Sequence, residues 1–130
     1  MQEIIGEIIE YGDVEAEVMI TNKPLLFNWV DINTGVVNQE DSEMNGKSVT
    51  GKILVVPCFK ANIDMWRLYG LCKKGLGPVG LISPRVADDY MIVGAILSKL
   101  PFIHKVDTEK IKNLQDGQRV KIIGNRVLIP

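Results

Sequence analysis

Gln2 to Thr21 carries its β-favouring residues, among them Ile4, Ile8, Val14, Val18 and Ile20, in two extended stretches broken at Gly12-Asp13. That pattern predicts a β-hairpin or meander. A short extended piece over Leu25 to Val30 leads into Asp31-Ile32-Asn33-Thr34-Gly35, where Asn and Gly suit the left-handed geometry of a turn before Val36-Val37. Asn38 to Ser48 is polar and without apolar periodicity, so a surface loop is expected there. The rhythm then changes. Lys52 to Pro57 is a compact β-branched run, and Met65, Leu68, Tyr69 and Cys72 follow at helical spacing until Gly75 and Gly77-Pro78 stop them. Val79 to Ser83 reads as a buried strand, Ala87 to Lys99 as a helix with Asp88 and Asp89 near its positive end, and Phe102 to Val106 as another strand. Gln118 to Ile123 and Arg126 to Ile129 close the chain as a hairpin around Gly124-Asn125.

The fold class that follows is α/β, with a β-rich first half and a β-α-β-α-β second half whose parallel strands are covered by the two helices. With 130 residues, 46% of them hydrophobic, one β/β/α domain over residues 1–130 fits better than two small ones. A chain of this size buries enough surface to fold without a disulfide or a structural metal.

Charge narrows the function classes. Fifteen basic residues against sixteen acidic ones give a net charge of -1, and the basic residues are dispersed from Lys23 to Arg126, which argues against a nucleic-acid binder. The longest apolar runs, Ile53 to Cys58 and Tyr90 to Leu97, fall well short of the ~20 residues that cross a bilayer. Glu3, Glu7 and Glu10 occupy the stretch where a secretory signal would be basic and then apolar, so a cytoplasmic protein is expected. Cys58 and Cys72 are the only cysteines, too few for a Cys-only zinc site and expected to be reduced in that compartment.

In open α/β sheets ligands gather beyond the carboxyl ends of the strands, which directs attention to the loop after Lys52 to Pro57. Asn62 there is a candidate N-cap, and the free amides of the helix start, with Lys60, suit a carboxylate or phosphate. Asp64 complements the helix dipole and would repel such an anion. Cys58, at a strand end beside a helix start, is a candidate nucleophile or a small buried hydrophobe, while Cys72 falls on the apolar helix face. His104 is the single histidine and belongs to a strand. Asp88 and Asp89 read better as dipole partners than as an acid-base pair, because helix neighbours point about 100° apart. Trp29 and Trp66 suit interface anchors and core packing equally. No Ser-His-Asp order, Walker loop, GxGxxG or metal-binding helix motif is present.

Taken together, several segments resemble the small subunit, or swivel domain, of the aconitase X family. They are Gly6 with Ala16-Glu17-Val18, Asp31 to Val37, Gly46-Lys47-Ser48-Val49-Thr50-Gly51-Lys52 with the run to Pro57, Gly75-Leu76-Gly77-Pro78, Val93-Gly94-Ala95 and Asp116-Gly117-Gln118-Arg119-Val120. The resemblance implies a swivelling β/β/α domain that docks on a separate large subunit, with the active site at the junction. It implies no cofactor on this chain alone, but an iron-sulfur cluster in the large subunit. The implied activity is that of a hydro-lyase, removing water from mevalonate 5-phosphate or a related hydroxy acid. The family's loop after the proline is rich in Gly and Ser and contains the serine thought to act as base. Here it is Cys58-Phe59-Lys60-Ala61-Asn62-Ile63-Asp64, with Lys60 at a basic position and Asn62 at the serine's position.

Two readings therefore stand. In the first, the chain is half of a dehydratase, Lys60 and Asn62 bind an anionic small molecule, and Asp64 or Cys58 replaces the serine; no metal ligand is assigned. In the second, it is a non-catalytic partner or regulatory domain whose loop, with Phe59, Met65 and Trp66, has closed.

Overall fold

The computed structural model describes residues 2–130. Eight strands form one sheet: β1 Gln2–Ile5, β2 Glu7–Glu10, β3 Asp13–Ile20, β4 Ile53–Val55, β5 Gly80–Ile82, β6 Phe102–His104, β7 Arg119–Ile123 and β8 Arg126–Ile129. Helices α1 Asn62–Lys73 and α2 Asp89–Ser98 follow β4 and β5, and the short α3 Thr108–Ile111 follows β6. Strand order is β1-β8-β7-β3-β4-β5-β6-β2. From β3 to β6 the neighbours run parallel, and the remaining pairs are antiparallel. The expected β-α-β-α-β half and the closing hairpin of β7 and β8 are both present.

The opening hairpin is not. β1 pairs with β8 and β2 with β6, so the first two strands bind opposite ends of the sheet and leave β3 to pair with β4 and β7. Only Gly6 lies between β1 and β2. The sheet is thereby drawn almost into a barrel. Across its interior, a Cβ on Gly80 of β5 would lie 3.1 Å from Ile122 of β7, a strand that is not its hydrogen-bonded neighbour.

Period-two alternation sorts the strand residues onto two cores. Ile53, Val55, Ile82 and Ile103 join Ile4, Val18, Val120 and Ile122 inside the curled sheet. Leu54, Leu81 and Phe102 face outward beneath Leu68 and Leu71 of α1 and Met91 and Ala95 of α2. Gly94 lets the two helices approach, since a Cβ there would stand 3.2 Å from both Met65 and Leu68.

Two local expectations change. Residues 27–29, expected to be extended, form a single 3-10 turn, with Val30 then bridging to Val37. The polar loop of residues 38–48 is only partly a surface feature, because Gln39, Ser42 and Met44 are buried beneath it. Gly35, at φ +76, does make the turn read from Asp31 to Gly35.

Candidate functional site

The carboxyl ends of β4, β5 and β6 meet at one edge, where the first two helices begin. Beyond β4, Val56 donates to the carbonyl of Ile82 at 3.1 Å, so the pairing with β5 runs one step further. The Ser83 hydroxyl, fully buried, then donates to the carbonyl of Pro57 at 3.3 Å. The two loops are thus tied together before either turns outward.

Residues 58–61 are held by two carboxylates. Asp88, the N-cap of α2, accepts from the Met91 amide and from the Phe59 amide, each at 2.9 Å. Asp64, in the first turn of α1, accepts from Lys60 at 2.8 Å and Ala61 at 3.0 Å through one oxygen and from Phe27 at 2.8 Å through the other. Charge-assisted bonds of this kind are about twice as strong as neutral ones. Phe59 is buried against Phe27 edge to face, with ring centroids 5.2 Å apart. The loop is therefore rigid, and most of its amide donors are occupied by the protein itself.

This geometry corrects three expectations. Asn62 is not the N-cap: Ala61 takes that position without a capping side chain, and Asp64 reaches back to do the work. Asn62 is instead the exposed first residue of the helix. Asp64 is no proton acceptor for a substrate, being 1% exposed with both oxygens engaged by backbone amides. Nor is Cys58 an activated nucleophile. It is half-buried, and burial pushes its thiol up, with Asp88 adding to the effect while Lys60 and Arg85 pull the other way. A thiol so shifted stays protonated at neutral pH.

The exposed polar side chains at this edge are Lys60, Asn62, Arg85 and, in the first turn of α2, Asp89, with Ile63 and Val86 exposed beside them. Arg85 was not foreseen, although applying the carboxyl-end rule to the next strand, Val79 to Ser83, would have reached it. Cys72 packs half-buried toward the far end of α1, and burial there drives its thiol up to about 11. Trp29 and Trp66 are 52% and 55% exposed, which removes the core reading for both. The cavity beside Trp29, about 610 Å³ and lined also by Leu26 and Asn38 to Asp41, is formed by other loops than this edge.

His104, at the end of β6, is buried and accepts the Ala87 amide through Nδ1 at 3.0 Å. Burial, and then the neighbouring Lys105, lower its pKa below the usual value, with Glu7 opposing. For a base depressed on folding, the stability is present above the unfolded pKa and is lost as pH falls below it. Unfolding free energy is accordingly expected to drop as pH is lowered from about 6.5 toward 5. Urea titrations across that range should show the slope, and His104→Asn, which keeps an acceptor for Ala87, should lose it; equal slopes in both proteins would contradict this account.

Among the described residues no helix is long and apolar enough to cross a membrane, and no three His, Cys, Asp or Glu side chains cluster as metal ligands. Residues 3–129 match the family model described as the aconitase X swivel domain. The phosphomevalonate dehydratase small subunit of Pyrococcus horikoshii is 40% identical over 120 residues, covering 91% of this chain and 84% of that one. Its Pyrococcus furiosus counterpart is 36% identical over 123 residues, covering 93% and 89%, and that of Methanosarcina acetivorans is 34% identical over 122 residues, covering 92% and 84%. The crystal structure of Thermococcus kodakaraensis aconitase X in its holo-form superposes with a TM-score of 0.91 at 32% identity, covering 100% of this chain and 99% of that one. With its strand order, its two-helix cover and nearly its whole length matched, this chain belongs to the aconitase X swivel-domain family.

Proposed function

We propose that this chain is the small subunit of a two-chain cytoplasmic dehydratase acting on mevalonate 5-phosphate or a closely related phosphorylated hydroxy acid. The observation that carries the reading is the match to dehydratase small subunits along more than nine-tenths of the chain. In this reading a larger subunit covers the carboxyl edge. The exposed Trp29 and Trp66, with Ile63 at 43% exposure on the same helix as Trp66, are apolar anchors of the kind that interfaces favour.

An iron-sulfur cluster does not fit this chain. Cys58 precedes α1 and Cys72 lies in its last turn, about 15 Å away at a rise of about 1.5 Å per residue, and no other thiol exists to complete a set. In this reading the cluster that the family resemblance implies belongs to the larger subunit. What this chain supplies is charge and shape. Exposed Lys60 stands on a loop whose backbone is fixed at Phe59, Lys60 and Ala61, so on binding an anion it is the side chain alone that must be ordered. Asn62 adds an amide that can donate to a substrate oxygen.

Reconstitution with the larger subunit tests this. Lys60→Ala is expected to raise KM for mevalonate 5-phosphate about tenfold, the loss of one charge-assisted contact, while the complex still assembles. Kinetics that do not change would count decisively against the anion role. One feature favours a second reading, a non-catalytic partner: the loop has Asn62 where the resemblance implies a serine, and it exposes no other proton acceptor. Under that reading the complex forms, but Lys60→Ala and Asn62→Ala both leave its turnover intact.

A further inference from the structure

We infer that Arg85 and Lys60 together form a two-point clamp for a phosphate monoester dianion at the carboxyl edge of β4 and β5. Register supplies the geometry. Val55 of β4 lies opposite Ile82 of β5, so Cys58 and Arg85 stand equally far beyond the ends of adjacent parallel strands, whose axes are about 4.8 Å apart. The Ser83 hydroxyl ties the two extensions by donating to Pro57 at 3.3 Å while accepting the Arg85 amide at 3.2 Å. Arg85 is held on its other side by the Lys105 amide, which donates to its carbonyl at 3.1 Å. Its backbone is therefore tied directly to the extension of β6 and, through the Ser83 hydroxyl, to that of β4, as that of Lys60 is fixed by Asp64.

Both cations are exposed, and among the described residues neither forms an ion pair with a carboxylate. Of the nearby carboxylates, Asp64 and Asp88 have their oxygens engaged by backbone amides, and the exposed Asp89 at the start of α2 forms no ion pair with either cation. Both cations act electrostatically on the Cys58 thiol, which puts each of them in its neighbourhood. A guanidinium fork beside an ammonium matches a tetrahedral dianion better than a single carboxylate, which one of the two would satisfy.

The inference rests on the dehydratase reading for the identity of the substrate, though not for the anion. Two measurements separate them. On this full chain, titration with inorganic phosphate is expected to shift the Arg85 Nε–H resonance saturably, with acetate at equal ionic strength giving a shift at least about fivefold weaker and Lys60→Ala reducing the phosphate response. No response at Arg85, or an equal response to acetate, overturns the clamp. In the assembled two-chain enzyme, Arg85→Gln is expected to raise KM for mevalonate 5-phosphate about tenfold with little change in kcat, and Arg85→Lys to recover part of the loss. An unchanged KM for Arg85→Gln in an active enzyme also overturns it. If phosphate titrates Arg85 but the assembled enzyme does not dehydrate that substrate, the clamp stands and the dehydratase reading falls.

Discussion

Asp64→Ala is expected to destabilise the fold by about 3 kcal/mol or more, the largest effect of any single side chain at the site. Three backbone amides end on this carboxylate, from Phe27, Lys60 and Ala61, and the residue is 1% exposed. Removing it leaves donors unpaired in a place that water reaches poorly, at about 1–3 kcal/mol for each one that stays buried. It also frees both the 3-10 turn at residues 27–29 and the start of α1, which share no other side-chain hydrogen bond. Asp64→Asn keeps one acceptor oxygen but turns an NH2 group toward amide donors, so a loss of about half that size is expected. Urea unfolding of the three proteins measures the series. A change below about 1 kcal/mol for Asp64→Ala would show that the buried carboxylate does not hold the loop. Hydrogen exchange at the Phe27, Lys60 and Ala61 amides in Asp64→Asn gives the same answer should the alanine variant fail to fold.

Asp64 also shows where sequence reasoning stops. Its place in the first helical turn was legible, and so was its affinity for the positive helix end. Its inward direction was not, because its partner Phe27 lies 37 positions away, in a stretch whose spacing suggested extended chain. Lys60 and Asn62 were legible as candidates because a carboxyl-end loop can be located from a strand followed by a helix. Asp88 was readable as a helix-end acid; that its second oxygen would clamp Phe59 depends on two loops meeting in space. The same distinction runs through the fold. β4 to β6 and the helices between them were legible because parallel strands buried on both faces read as unbroken apolar runs and the helix stops are marked by glycine and proline. β1 and β2 were correctly extended and wrongly paired. Alternation reports that a segment is a strand, while the partner of Gln2 is Ile129, at the other end of the chain.

Gly6 joins those two misread strands, and Gly6→Ala is the second substitution expected to be costly, at about 3 kcal/mol. Glycine is needed here for space. An added Cβ would collide with Cγ2 of Ile103 and stand 2.8 Å from both the carbonyl oxygen of His104 and Cγ1 of Val106. Ile103 is fully buried in the inner core and the carbonyl belongs to β6, so neither the side chain nor the backbone can yield cheaply. The strain should fall on the pairing of Glu7 with His104 and Ile8 with Ile103, which binds β2 to the far edge of the sheet. That edge carries His104 and Lys105, and the Lys105 amide fixes Arg85. Gly6→Ala should therefore show a lower urea midpoint, faster exchange of the β2 and β6 amides than of the β7 and β8 amides, and a weakened phosphate response at Arg85. Uniform protection across the sheet in the variant would mean that the barrel closes without help from the close contact at Gly6, and that the carboxyl edge is held by the parallel strands alone.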